Sequence, residues 1–332
     1  MNSRIDFFGI GAARCGTTWL HECLKEHPGI NLPTKKEQHF FDNDAAYRKG
    51  IEYYERNFID TDGKLVQGEI TPRYLLYGNA LLRIRQHYPE AKIIVILRDP
   101  VERAFSQYKY FRFNKKKEDK KDFLTALESD FREDYIGKSL YYPQLKRVYE
   151  IFDRQKVLVI FTADISRDPS GLIRRVYEFL GVSTDYSPRY IDKKINSSQD
   201  GYFDPPVFWA RFNKLLAYRT REVGGEVYTR SLINNRVLDY LLKSRLVVYA
   251  VNRINQLLDR LFASREKIRL DRHAKDAVFT KYFREDTQQL EQLLGISLAH
   301  WKPADNGGTG RTVSTASPRP AAVATRTGQG MP

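Results

Sequence analysis

Residues 9–19 read GIGAARCGTTW, and no other stretch limits the fold as tightly. Gly11 and Gly16 have the spacing of a phosphate-cradling loop, and Thr18 stands where such a loop places its hydroxyl. Residues 5–10 (IDFFGI) form a short apolar run, which predicts a strand leading into the loop. After it, Leu20, Cys23 and Leu24 fall at helical spacing, and Pro28 ends that pattern. Strand, glycine loop and helix in succession aim backbone N–H groups and a helix dipole at an anion. Yet the lysine of such a loop is missing. Thr17 occupies its place, and the nearest cation, Arg14, lies inside the loop.

The pattern beyond the loop repeats strand and helix. Residues 65–70 (LVQGEI) read as a strand ended by Thr71-Pro72. Residues 92–97 (KIIVIL) and 157–161 (VLVIF) are nearly all apolar and β-branched, as strands covered on both faces are. Arg98-Asp99-Pro100 opens a helix, PVERAFSQYKYF, followed by a charged loop, RFNKKKEDKKD. Residues 172–180 predict a helix closed by Gly181, and a last helix spans about 282–294 before Gly295. This alternation predicts an α/β doubly wound architecture: a P-loop NTPase-like three-layer fold with a central parallel sheet.

The 332 residues are 42% hydrophobic and 29% charged, ordinary for a soluble globular chain. No run reaches the ~18 apolar residues of a membrane span, and the start lacks a signal-peptide pattern. Cys15 and Cys23, the only cysteines, rule out a disulfide framework and point to a reducing compartment, hence the cytoplasm. A net charge of +14 favours anionic partners. Much of it sits in residues 201–270, with 13 Lys+Arg against 6 Asp+Glu. There, apolar residues from Val237 to Phe262 recur at helical spacing, interleaved with Arg236, Arg245, Arg253 and Arg260. Residues 197–270 therefore predict an inserted basic amphipathic helical subdomain. It suits a peripheral contact with the inner face of an anionic membrane, a lid, a dimer contact, or simply a packed unit with a basic surface. The α/β domain is assigned to residues 1–196 and 271–302. Residues 303–332, rich in Gly, Ser, Thr, Pro and Ala, predict a disordered tail.

Across the sheet edge from the loop, the strand 92–97 ends in Arg98, and the next helix carries Ser106. Carboxyl ends of neighbouring parallel strands face one crevice, so Arg98 and Ser106 can hold a second anionic group opposite the loop. Arginine suits a bidentate grip on phosphate. Asp99 could be read as a Walker B magnesium ligand. Its neighbour Arg98 and its place before Pro100 favour a helix cap instead.

Five motifs stand in order: GxxR-C-G-T-T-x-L, KE-x-HFFD, GE-x-TP-x-YL, hhhLRDPVERAxSxY and YFRED-x-x-x-LE-x-LLG-x-x-L-x-x-W. Together they resemble the sulfotransferase family that uses 3′-phosphoadenosine 5′-phosphosulfate (PAPS), nearest its carbohydrate branch of heparan sulfate sulfotransferases and their bacterial relatives. The resemblance covers about residues 5–196 and 270–301. It implies that Arg14, Cys15, Gly16, Thr17 and Thr18 hold the 5′-phosphosulfate, with Arg14 in place of the usual lysine. It implies that Arg98 and Ser106 hold the 3′-phosphate. Glu37 matches the carboxylate that deprotonates the acceptor. His39 is either catalytic or a satisfied supporting histidine, and Asp42 orients or caps. Lys35 and Lys36 read as a solvated face, and Glu69 as structural. Adenosine 3′,5′-bisphosphate would be the product and a saccharide, glycolipid or small alcohol the acceptor. Two departures stand out. The lysine that lines the acceptor cleft in relatives is Ile70 here, and the segment KKINSSQDGYF from Lys193 lacks the pattern expected of the loop over the adenine.

The chemistry fits these residues. Sulfuryl transfer develops negative charge on the departing phosphate oxygen, and a cation with N–H groups aimed there lowers the barrier. Arg14 stays protonated, so it acts as an electrostatic clamp and not as a proton donor. A sulfuryl group carries less charge than a phosphoryl group, so no metal is required in principle. Two rivals make different predictions. A nucleotide kinase or NTPase requires ATP and magnesium. A non-catalytic binder of membrane or nucleic acid shows salt-dependent binding without turnover. Nothing in the motifs calls for nucleic acid.

Overall fold

The computed structural model describes residues 5–58, 65–114, 118–120, 122–192, 219–223, 226–230 and 268–303. Five parallel strands form the central sheet in the order β2-β3-β1-β4-β5. They are β1 (Phe7–Gly11), β2 (Ile30–Asn31), β3 (Val66–Ile70), β4 (Lys92–Leu97) and β5 (Val157–Phe161). β1 is buried along its whole length and β4 at every residue after Lys92, so both faces of the sheet centre are covered. That burial is why these two strands read as continuous apolar runs and not as alternating ones.

β1 lies between β3 and β4, pairing Phe8 with Glu69 on one side and with Ile93 on the other. From β1 the chain runs to β2 at the sheet edge, returns to β3 beside β1, and then crosses to β4 and β5. The carboxyl end of β1 is thus where the strand order reverses, the usual place for a ligand crevice. Gly9 permits the close packing there: a Cβ on it would sit 2.8 Å from the Ile70 side chain.

Helix α1 (Thr17–Glu26) follows the loop and buries Trp19, Leu20, Cys23 and Leu24. After α2 (Gly78–His87), helix α3 (Pro100–Lys109) leaves β4 with Asp99 as its cap and Pro100 in its first turn. The Asp99 carboxylate accepts from the N–H groups of Val101 (2.9 Å) and Glu102 (3.1 Å), the cap expected from the sequence. A π turn, Tyr110–Asn114, carries α3 onward. Helices α4 (Tyr141–Ile151) and α5 (Pro169–Leu180) follow, the latter ended by Gly181 at φ 81°.

The segment 197–270 is not wholly helical. Besides residues 268–270, its described residues are the antiparallel pair β6 (Arg219–Val223) and β7 (Glu226–Arg230), joined across Gly224-Gly225. A Gly-Gly pair between two strand-length runs is a hairpin signal, and it overrides the helical reading at that point. The proposed helical stripe of 237–262, the Lys193 segment and the tail beyond residue 303 lie outside the described residues. The chain returns to the α/β body through α6 (Arg272–Val278) and α7 (Arg284–Leu294). Asp286 on α7 accepts the N–H groups of Tyr141 (2.9 Å) and Tyr142 (3.0 Å), tying this return segment to the start of α4.

Candidate active site

The loop after β1 is held from beneath. Arg103 on α3, only 1% exposed, donates from Nε to the Ala13 carbonyl at 3.3 Å. Thr162, just after β5, donates its hydroxyl to the carbonyls of Cys15 and Leu97. Gly16 takes the left-handed conformation at φ 99°, open to glycine at little cost, and turns the chain into α1. α1 begins with Thr17 and Thr18 and has neither a side-chain cap nor an acidic residue in its first turn. Its first N–H groups therefore lack an intrahelical partner and face a position suited to an anion. Cys15 is placed differently. Its thiol is fully buried, lies 3.6 Å from the Tyr141 hydroxyl, and has a pKa raised by that burial. Its N–H donates to the Ala12 carbonyl, so the loop residue predicted to bind cofactor turns its side chain into the core.

Arg14 points across the crevice. Its Nε donates to the Ser106 hydroxyl at 3.3 Å, and its guanidinium lies over the Tyr110 ring, 4.7 Å from the centroid. Arg98 contacts Glu102 instead of Ser106, donating from Nε and Nη2 at 3.2 and 3.1 Å. Sequence reasoning placed Arg98 and Ser106 on the right elements and missed both pairings. It also missed Lys109. That ammonium group is pulled down to a pKa of about 8, first by burial and then by the charges of Arg98 and Arg14. Lys109 lies three residues after Ser106, one turn along the same face of α3, and that spacing was the available signal. Arg14, Arg98 and Lys109 are thus within electrostatic reach of one another, and Arg14 carries that charge to Ser106. Asp99, far from being free to bind a metal, caps α3 and pairs with Lys275 at 2.7 Å.

On the other side stands the segment KEQHFFD. Glu37 Oε1 accepts from Lys36 Nζ at 2.6 Å, and its Oε2 lies 3.6 Å from His39 Nε2. His39 Nδ1 bonds Asp42 at 3.1 Å, and Arg73 approaches the same Asp42 oxygen at 3.4 Å. The neighbouring imidazole, with the Lys36 contact, outweighs burial and holds the Glu37 carboxyl at about 2. Asp42 and then Glu37 lift His39 to about 9. The segment is anchored by buried Glu69, which accepts from Tyr54 (2.8 Å), Tyr74 (2.8 Å), Thr71 (2.7 Å) and the Gln38 N–H (3.4 Å). Glu69 is structural in this sense: it fixes the backbone between Glu37 and His39. The segment also lies against α1. His21, one turn beyond Thr17, is lowered to about 4 by burial and then by Lys36 and Lys25, with Glu37 opposing.

Among the described residues, three non-glycine residues have positive φ: Arg14 (71°), Glu37 (62°) and His39 (52°). They are the same three that the sequence marks as catalytic. Such conformations cost of order 1 kcal/mol each and persist where surrounding structure over-determines them. Ile70, at the place of the relatives' cleft lysine, is 1% exposed and packs on Gly9.

A parallel sheet with an anion-binding loop at its switch point, faced by a cationic cluster, defines an α/β protein built to handle a phosphate or sulfate group. Comparison with known proteins is specific. The model of the Sulfotransferase domain family matches residues 4–199. The chain is 26% identical over 226 residues to mouse heparan sulfate glucosamine 3-O-sulfotransferase 5, covering 66% of this chain and 64% of that one. It is 38% identical over 108 residues to the membrane-associated sulfotransferase kil1 of Dictyostelium discoideum, covering 32% of this chain and 22% of that one. The chain thus spans less than two thirds of these relatives' own length. A solved sulfotransferase from Alicyclobacillus acidocaldarius superposes with a TM-score of 0.58 at 26% identity, covering 90% of this chain and 99% of that one. The chain belongs to the sulfotransferase family.

Proposed function

We propose that the chain transfers a sulfuryl group from PAPS to a hydroxyl or amine of an acceptor, a saccharide or glycolipid. One observation carries the reading: Arg14 and Ser106, from two separate motifs, meet at 3.3 Å, and Lys109 feels the charges of both Arg14 and Arg98. The N–H groups of α1 with Thr17 and Thr18 hold the 5′-phosphosulfate. Arg98, Ser106 and Lys109 supply the second cationic site that a 3′-phosphate requires. Arg14 lies between them, where its fixed charge stabilises the departing phosphate oxygen. Adenosine 3′,5′-bisphosphate is then the product.

Glu37 is ionised in the resting site and accepts the acceptor's hydrogen. With a pKa of about 2 it is a weak base there. An acceptor that displaces Lys36 from Oε1 removes one of the two groups that depress it. Proton uptake is thereby coupled to acceptor entry. His39, charged and held by Asp42, keeps the carboxylate oriented.

The test is a thermal shift with adenosine 3′,5′-bisphosphate against ATP and magnesium. Stabilisation by the bisphosphate supports the reading; stabilisation by ATP with magnesium alone overturns it. A cytoplasmic location is proposed from the two unpaired, buried cysteines. Among the described residues no helix is long and apolar enough to cross a membrane. Peripheral binding to an anionic membrane through residues 197–270 is proposed from their basic, apolar-striped sequence. Sedimentation with anionic vesicles checks it, and loss of binding at high salt is the expected signature.

A further inference from the structure

We infer that Glu102 is a positioning residue that holds Arg98 away from the donor's 3′-phosphate, and that Lys275 sets how tightly it does so. The inference rests on the reading of Arg98 as a phosphate ligand. Its basis is a chain of four charges at the carboxyl end of β4. Glu102 Oε2 accepts both Nε (3.2 Å) and Nη2 (3.1 Å) of Arg98, so one oxygen occupies the guanidinium edge best suited to a bidentate anion. The other oxygen, Oε1, accepts from Lys275 Nζ at 3.0 Å. The same ammonium reaches Asp99 Oδ2 at 2.7 Å.

The two carboxylate oxygens of Glu102 therefore serve two different cations from two distant segments. When a phosphate takes Arg98, Glu102 is not stranded, because Lys275 still donates to its Oε1. The pair is also free to open. Arg98, Asp99, Glu102 and Lys275, with Phe161 and Trp301, line a cavity of about 220 Å³. The Arg98 and Glu102 side chains are 29% and 45% exposed. An ion pair this exposed is worth no more than about 1 kcal/mol, so a phosphate can displace it, at a cost of up to about fivefold in affinity. The exchange favours product release for the same reason: Glu102 re-forms its bond to Arg98 as the bisphosphate leaves.

The experiment uses the full chain and titrates adenosine 3′,5′-bisphosphate and adenosine 5′-monophosphate, which lacks the 3′-phosphate. Glu102→Asp keeps the charge but shortens the reach to Arg98. It is expected to tighten the bisphosphate about three- to fivefold and leave the monophosphate unchanged. Lys275→Met frees Glu102 to grip Arg98 and weakens the bisphosphate. That weakening is expected to vanish in the Glu102→Gln background, whereas a plain charge effect would persist there. Unchanged bisphosphate affinity in Glu102→Asp, or additive effects in the double variant, overturns the inference. Failure of the underlying reading looks different. Arg98→Ala would then leave the preference for bisphosphate over monophosphate intact.

Discussion

Arg14 Nε and Ser106 Oγ lie 3.3 Å apart, joining a loop after the central strand to a helix 92 residues further on. The contact crosses the switch point of the sheet and aims a permanent charge along the crevice. Tyr110, carried beside it by the π turn after α3, supports the guanidinium from one face. The arginine in place of the loop lysine is thus fixed on two sides, which a lysine with its single ammonium group could not reproduce.

Ser106→Ala removes one of those two supports and a hydroxyl facing the donor site. Ser106 is 4% exposed, and its loss removes one hydrogen bond, worth about 1 kcal/mol. The expected outcome is a rise in KM for PAPS of roughly fivefold with a small change in kcat. Arg14→Ala removes the charge itself and should lower kcat by about 10² to 10³. Steady-state kinetics with varied donor separates the two effects. Equal loss of kcat in both variants would count against the division of labour.

Much of this site was legible because local pattern carries it. The loop, Arg98 and Ser106 follow from apolar runs that end at fixed offsets, and β4 and β5 match their runs residue for residue. The partners were not legible. Arg14 and Arg98 are both arginines within reach of α3, and spacing cannot say which takes Ser106 and which takes Glu102. β2, two residues long, is too short to show a period. The β6–β7 hairpin was masked by the stronger apolar stripe that follows it in the sequence.

Glu37→Gln keeps the shape of the carboxylate and removes its charge. Binding of adenosine 3′,5′-bisphosphate should be unchanged, because the contacts of Glu37 are to Lys36 and His39 and not to the loop. Turnover should fall by about 10² to 10⁴, the usual contribution of a positioned base. Single-turnover transfer with bound PAPS makes the measurement, and near-normal transfer would remove Glu37 from the reaction.

The Glu37–His39 pair sets a pH window. Glu37 is depressed from 4.5 to about 2, so its stabilisation is complete above 4.5 and fades as pH falls toward 2. His39 is raised from 6.5 to about 9, so its stabilisation is complete below 6.5 and is lost as pH rises through 9. Both are fully present only between about 4.5 and 6.5. Their side chains are 40% and 39% exposed, and screening holds the effect to about 1 kcal/mol. Melting temperature should decline between pH 6.5 and 9, and His39→Gln should flatten that decline. An imidazole titration by NMR with a midpoint near 6.5 would contradict the assignment.

Arg103 offers the sharpest contest between two physical effects. It is 1% exposed, and its acceptors are the carbonyls of Ala13 and Asp134, the Ser139 hydroxyl and the Gln107 side-chain oxygen. None of these is a carboxylate, and burial lowers the guanidinium pKa. Replacing a buried charge with an apolar side chain can be neutral or stabilising when its partners are replaced too. Here the partners remain. Arg103→Met would strand the Ala13 and Asp134 carbonyls, while the Ser139 hydroxyl keeps its bond to the Tyr135 carbonyl, and that cost exceeds the relief from desolvation. The expected loss is about 1–3 kcal/mol for each carbonyl left without a partner, read in urea unfolding. Arg103→Lys, which keeps the charge but serves fewer acceptors, should fall between Met and the native residue. Because Ala13 precedes Arg14, either variant that still folds should also loosen the loop and weaken bisphosphate binding. Full stability in Arg103→Met would mean that desolvation, and not the hydrogen bonds, decides the balance at this position.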